Sequence, residues 1–163
     1  MFPDDIEALA RQVIEAAAGR GLMVAAAESC TGGLVSAALT SVAGSSAVVE
    51  RGFVTYSNAA KSELLGVTAD LIDRHGAVSE TVARAMGEGA VSHSLAQVSV
   101  AVTGIAGPGG GSPDKPVGLV HFAASGPAGL IHVERRFGDI GREEVRLASL
   151  RVALDLLLDR IGA

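Results

Sequence analysis

The sequence predicts an α/β fold, a three-layer α/β/α sandwich on a mixed sheet of about five strands, from three observations. Short apolar runs (Leu22–Ala27, Gly52–Tyr56, Val98–Thr103) alternate with stretches of helical periodicity. Two further apolar runs, Val117–Ala124 and Leu130–Phe137, are separated only by Ser125-Gly126-Pro127-Ala128-Gly129, the pattern of a hairpin. The alternation implies parallel strands, the hairpin adds antiparallel ones, and helices must cover both faces. At 163 residues, with no linker, internal repeat or low-complexity tail, residues 1–163 read as one domain able to bury a core.

The elements follow in order. Asp4 or Asp5 is placed to cap a first helix whose apolar face carries Ile6, Leu9, Val13 and Ala17, with Gly19 and Gly21 closing it. The strand Leu22–Ala27 stops at Glu28-Ser29-Cys30-Thr31-Gly32-Gly33, and Leu34–Val42 is helical. After the strand Gly52–Tyr56 a helix runs from about Ser57 to Leu65. Thr68–His75 is a short helix, and Ser79–Ser94 a longer one with Ser79 as its cap. Val98–Thr103 is the third strand. Gly104–Pro116 holds five glycines and three prolines and is a loop. The last helix, from about Arg142 to Ile161, turns Leu147, Leu150, Leu154, Leu157 and Ile161 inward.

Composition narrows the function classes. Hydrophobic residues make up 48% but aromatics only 3%, so the core is built from Ala, Val, Leu and Ile, which suits close helix-on-sheet packing. The single cysteine, Cys30, excludes a disulfide within the chain and fits a reducing compartment. No segment approaches the roughly 20 apolar residues of a membrane span, and the acidic Met1–Asp5 start is unlike a secretory signal. A cytoplasmic protein is expected. A net charge of −5 argues against sequence-independent nucleic-acid binding, which rests on Lys and Arg contacts to phosphates. A local basic patch for one small anion remains compatible.

Three segments can carry chemistry. The turn Glu28–Gly33, between a strand and a helix, exposes hydroxyls and backbone N–H groups. Ser29 is placed there as a nucleophile and the amides of Thr31, Gly32 and Gly33 as oxyanion donors; the alternative is that Ser29 or Thr31 caps the helix. Tyr56, the chain's only tyrosine, ends a strand five residues before Lys61. A neutral lysine accepts a serine proton once burial or a nearby cation lowers its pKa, and a tyrosine hydroxyl relays the proton or orients the amine. The alternative is a solvated lysine beside a half-buried tyrosine. Thr103-Gly104-Ile105-Ala106-Gly107-Pro108-Gly109-Gly110-Gly111-Ser112, ending near Lys115, offers backbone amides to a phosphate, chiefly over Gly107–Ser112, but it lacks a Walker A ending and a dinucleotide fingerprint. It is otherwise a flexible crossover. The histidines are scattered without ligand spacing, so no metal is expected. Arg135, Arg136, Arg142 and Arg146 are either a solvated basic edge or a meeting point for a phosphate.

Taken together, these segments resemble the CinA C-terminal domain family. The resemblance rests on Ala27–Gly33, Ala43-Gly44-Ser45-Ser46, Arg51–Asn58 through Lys61, Gly76-Ala77-Val78-Ser79, Thr103–Pro108 and Lys115-Pro116-Val117-Gly118, six ordered motifs over about residues 6 to 158. Ala59 and Gln97 depart from it, each standing where relatives carry an acidic residue. Stand-alone members of the family are nicotinamide-nucleotide amidohydrolases. The resemblance therefore implies hydrolysis of the carboxamide of nicotinamide mononucleotide to nicotinic acid mononucleotide and ammonia. It implies a serine/lysine hydrolase with Ser29, Lys61 and Tyr56 in the reaction, and no metal or cofactor. Larger members carry an N-terminal molybdopterin-binding-like domain for which this chain has no room, so its pyrophosphatase activity is not expected here.

The expected partner is a small-molecule nucleotide, held by Thr31, Gly32, Gly33, Thr103, Gly104, Gly107, Gly109 and Gly110, with no nucleic acid or membrane and with self-association possible. Two rival readings stand beside this one. One is a non-catalytic nucleotide-binding or regulatory module in which Lys61 points away. The other is an enzyme with Cys30 as nucleophile, disfavoured because adjacent side chains on an extended segment point oppositely.

Overall fold

The computed structural model describes all of residues 1–163. The elements are α1 (Asp4–Arg20), β1 (Val24–Glu28), α2 (Leu34–Thr40), β2 (Val49–Val54), α3 (Asn58–Leu65), α4 (Ala69–His75), α5 (Glu80–Ser92), β3 (Val98–Gly104), β4 (Leu119–Gly126), β5 (Gly129–Arg136) and α6 (Arg142–Gly162). A short 3-10 turn at Ser45–Ala47 precedes β2. The five strands form one mixed sheet in the order β2-β1-β3-β4-β5. β1 is parallel to both its neighbours, while β3, β4 and β5 run antiparallel in succession. This is the expected three-layer α/β architecture.

Helices cover both faces, so the inner strands are buried on both sides and alternate between two apolar layers rather than between core and water. Along β1, Val24 and Ala26 face the layer formed by α1, α2 and α6, whereas Ala25 and Ala27 face α3, α4 and α5. Small residues set the second layer's spacing. A Cβ added to Gly87 of α5 would lie 3.3 Å from the Cβ of Ala123 on β4. No helix is long and apolar enough to cross a membrane.

Several boundaries differ from expectation, each for a local reason. The second strand is Val49–Val54 and not Gly52–Tyr56, because it pairs with β1 from Val24↔Val49 to Glu28↔Val54. Its polar Glu50 and Arg51 are accommodated because β2 is an edge strand, where the two side chains pair at 2.7 Å. Asp4 and Asp5 do not cap α1. Pro3 is the N-cap without a side-chain bond, the carboxylates sit in the first turn, and Asp5 pairs with Arg151 of α6. Gly19 is inside α1, and the helix closes at Gly21 in the left-handed conformation. The hairpin strands have the expected length but are displaced toward the turn, leaving Pro127 and Ala128 between them. Ser57, Thr68 and Ser79 cap α3, α4 and α5 through their side chains.

Candidate active site

Open α/β sheets bind ligands outside the carboxyl ends of parallel strands, where neighbouring connections leave in opposite directions. β1 lies between β2 and β3 and meets this condition. The turn after β1, the segment Thr55–Ser57 after β2 and the loop after β3 together border a cleft of about 280 Å³. Ser29, Tyr56, Lys61, Thr103, Gly104, Gly107, Gly109 and Gly110 line it; Thr31, Gly32 and Gly33 do not.

Lys61 and Ser29 meet in this cleft. Ser57 caps α3 by accepting from the amide of Ala60, which places Lys61 one turn inside the helix. Its side chain is only 1% exposed. The amine donates to Ser29 Oγ at 3.0 Å and to the Thr55 carbonyl at 2.9 Å, and no carboxylate forms an ion pair with it. Burial without a counter-charge pushes the Lys61 pKa below its ordinary 10.5, against a smaller opposing effect of Cys30. A lysine so placed spends more of its time neutral. In that state the contact reverses, and the serine hydroxyl donates to the amine lone pair.

Tyr56 is placed differently from the expected relay. Its ring is 62% exposed, and its hydroxyl accepts from Arg142 Nη2 at 3.1 Å rather than bonding Lys61 or Ser29. Arg142 also donates to the Gly107 carbonyl at 2.8 Å, tying the loop after β3 to the start of α6. Thr103 is buried, and its hydroxyl donates to the Ala77 carbonyl at 2.8 Å, which fixes the cleft wall formed by Ala77 and Val78. Gly104 is required by packing, since a Cβ there would lie 2.6 Å from Val120 Cγ2. Gly109 and Gly110 keep amides with no acceptor in the chain.

In the turn after β1, the amides assigned to oxyanion binding are redistributed. The Gly32 amide donates to the Ser29 carbonyl at 3.1 Å. The Gly33 amide donates to Glu28, whose fully buried carboxylate also accepts from the amides of Val35 and Ser36 and from the Ser36 hydroxyl. Glu28 thus satisfies the unpaired donors at the start of α2, a task that neither Ser29 nor Thr31 performs. No other residue accepts from the amides of Cys30 and Thr31, and the Cys30 N–H lies toward its own thiol.

Ser29 and Cys30 both border the cleft, and their side chains diverge as expected: Ser29 Oγ meets Lys61 of α3, whereas the Cys30 thiol packs into the apolar layer with α1, α2 and α6. Burial there pushes the thiol pKa up to about 12. No histidine borders the cleft. His121 and His132 instead stack on each other on β4 and β5, with His121 Nδ1 and His132 Nε2 2.9 Å apart. Nowhere do three His, Cys, Asp or Glu side chains gather as a metal cluster.

Residues 6–161 match the CinA C-terminal domain. The chain belongs to that family. Among solved structures, the competence/damage inducible protein CihA from Agrobacterium tumefaciens matches with a TM-score of 0.97 at 55% identity, covering 100% of this chain and 99% of that one. The competence damage-inducible protein A (ComA) from Klebsiella pneumoniae subsp. pneumoniae MGH 78578 matches with a TM-score of 0.91 at 34% identity, covering 96% and 97%. A CinA-like protein from Synechococcus sp. (strain RCC307) is 51% identical over 157 residues, 96% of this chain and 38% of the relative. The chain spans less than two-fifths of the length of such curated relatives.

Several residues of this CinA domain's cleft entered the sequence reasoning only as parts of motifs, without a role in the site. Asn58, Ala77, Val78, Ile105 and Ala106 line it, and their types carry no chemical signal of their own. Arg142 and Arg146 were visible only as members of a basic set. They lie one turn apart on α6, and their spacing of four places both on one helix face. Arg135 and Arg136 are on β5 and exposed, away from the cleft.

Proposed function

We propose that this chain is an amidohydrolase that deamidates nicotinamide mononucleotide to nicotinic acid mononucleotide and ammonia. The observation that carries the reading is the 3.0 Å contact between Ser29 Oγ and a buried, unpaired Lys61 amine. Ser29 Oγ attacks the carboxamide carbon while neutral Lys61 takes the hydroxyl proton. The free amides of Cys30 and Thr31 are the donors available to the oxyanion. The C–N bond then breaks, Lys61 returns its proton to the departing nitrogen, and ammonia leaves an ester on Ser29. Water attacks the ester as Lys61 takes its proton; the serine oxygen leaves, is reprotonated, and the carboxylate product is released. Lys61 acts directly, and Tyr56 holds Arg142 rather than relaying a proton.

The cleft's charge supports an anionic substrate. The Arg142 guanidinium lines it and no carboxylate does, although the chain as a whole carries −5. Free amides at Gly109 and Gly110 and the Arg142 guanidinium suit a 5′-phosphate. A volume near 280 Å³ suits a mononucleotide and is small for a dinucleotide. The Cys30 alternative is disfavoured because its thiol stays protonated at neutral pH. The test is to incubate the protein with nicotinamide mononucleotide and follow ammonia. Stoichiometric ammonia and nicotinic acid mononucleotide are expected, with nicotinamide riboside turned over poorly by kcat/KM. No ammonia, or equal turnover of the riboside, would refute the activity or the phosphate assignment respectively.

A further inference from the structure

α6 is the last element of the chain, yet its first two turns reach all three segments that border the cleft. Arg142 holds Gly107 and Tyr56. Arg146, partly buried, donates from Nε to the Cys30 carbonyl and from Nη2 to the Thr31 carbonyl, both at 3.1 Å. It contacts neither Ser29 nor Lys61 through a hydrogen bond. Its forked grip on two successive carbonyls calls for a reason beyond anchoring one helix.

In a trans peptide the C=O and the following N–H point in opposite directions within one rigid plane. Holding a carbonyl therefore aims the next residue's amide. The Ser29 carbonyl accepts from the Gly32 amide, which fixes the plane carrying the Cys30 N–H. Arg146 Nε holds the Cys30 carbonyl, which fixes the plane carrying the Thr31 N–H. Arg146 Nη2 shares the Thr31 carbonyl with the Leu34 amide, and together they fix the plane of the Gly32 N–H and so support its bond back to Ser29, whereas the Cys30 carbonyl has Arg146 Nε as its holder. Three consecutive peptide planes are locked from their carbonyl sides. The two amides in this turn that bond no other residue, those of Cys30 and Thr31, are oriented by these locks.

We propose that Arg146 is a positioning residue that preorganises the Cys30 and Thr31 amides as oxyanion donors beside Ser29. The inference rests on the proposed serine chemistry and adds to it a residue outside the cleft wall. Two further features agree. The guanidinium's charge is felt at the turn, where it opposes the rise in the Cys30 pKa. Gly32 turns the chain against the guanidinium: its φ of +57° is one that glycine favours, and its Cα side lies in contact distance of Arg146 Nη2. Lysine is a poor replacement, since one ammonium does not reproduce a planar fork spanning two carbonyls.

The experiment uses a fluorophosphonate probe, which needs no knowledge of the natural substrate. Ser29 Oγ displaces fluoride from phosphorus, Lys61 takes the hydroxyl proton, and the developing phosphoryl oxyanion needs the same donors. Labelling rates are measured for the wild type, R146M, R146K and R146A, with the modified residue located by mass spectrometry. The wild type is expected to label at Ser29. R146M should label roughly ten- to a hundredfold more slowly, less than the 10²–10³ that loss of a donor itself costs, with R146K between. The pH midpoint of labelling, set by Lys61, should not move. Added guanidinium should restore part of the R146A rate. Unimpaired labelling of R146M, a shifted pH midpoint, or an R146A that guanidinium leaves slow overturns the positioning role while the serine reading stands. A wild type that does not label at Ser29 overturns the serine reading and the Arg146 inference together.

Discussion

Two buried basic sites in this domain meet the same desolvation and answer it differently. On β4 and β5, burial lowers the pKa of His121 and His132 below 6.5, and the two rings share one hydrogen bond. Glu134 lies 3.8 Å from His121 and Glu80 3.7 Å from His132, each favouring the charged form, while Arg84 and Lys115 oppose it. A histidine with its ordinary pKa near 6.5 is already mostly neutral at pH 7, so this pair loses little by being buried. Lys61 is ordinarily charged there, has no carboxylate partner, and has one hydrogen bond to a carbonyl and one to Ser29. The pair on the hairpin is a structural contact between groups already in their preferred state. The lysine is held away from its preferred state, beside a hydroxyl whose proton it can accept.

That contrast can be broken most sharply at Ser29. Ser29→Ala should lower kcat for deamidation by roughly 10⁴-fold or more, while Cys30→Ala stays folded and active; ammonia release measures both, and the reverse outcome moves the chemistry to the thiol. Lys61→Met should remove about 10²- to 10⁴-fold of rate, the range of a general base, yet raise stability at neutral pH. The folded state binds fewer protons at Lys61 than the unfolded chain between the lowered pKa and 10.5. Wild-type stability therefore rises with pH through that window, and the advantage of Lys61→Met closes toward pH 10.5. Denaturant melts across pH test this, and a pH-independent difference would contradict it.

Smaller effects sharpen the comparison. Arg142→Ala should lower kcat/KM for the mononucleotide about 10- to 100-fold, in line with a charge-assisted phosphate contact, and leave the riboside's value nearly unchanged. An equal loss on both would assign Arg142 to loop positioning alone. Tyr56→Phe should cost less, since the hydroxyl bonds only Arg142. His132→Gln should leave kcat unchanged and cost about 1 kcal/mol, one hydrogen bond's worth. In the wild type the histidines' contribution is lost as pH falls below 6.5, because protons then bind the unfolded chain in preference. A change in kcat for His132→Gln would join the hairpin to the reaction.

The sequence carried the layered fold because apolar runs and helical periods are local signals. It misplaced β2 because an edge strand tolerates Glu50 and Arg51, which interrupt the apolar run. Ser29 and Lys61 were legible as residue types after strands, but their 3.0 Å contact spans 32 positions and depends on the order β2-β1-β3. Glu28 reads as the polar end of a strand, and nothing local says that it caps α2 from within the core. Arg142 and Arg146 were harder still. Their partners lie 35 to 116 residues away, and only the packing of α6 brings them to the cleft. The amide assignment failed at Gly32 and Gly33 for a related reason: hydrogen-bond donors in a turn are shared out by partners that spacing alone does not reveal.

The central claim is that neutral Lys61 takes the proton from Ser29, and a pH–kcat profile of nicotinamide mononucleotide deamidation in wild type and Lys61→Arg tests it most directly. The wild-type rate should rise through a single deprotonation below pH 10.5. The arginine variant, whose guanidinium keeps its proton, should lose nearly all activity across the whole range. An arginine variant that retains most of kcat would contradict the account, leaving position 61 as a source of positive charge alone.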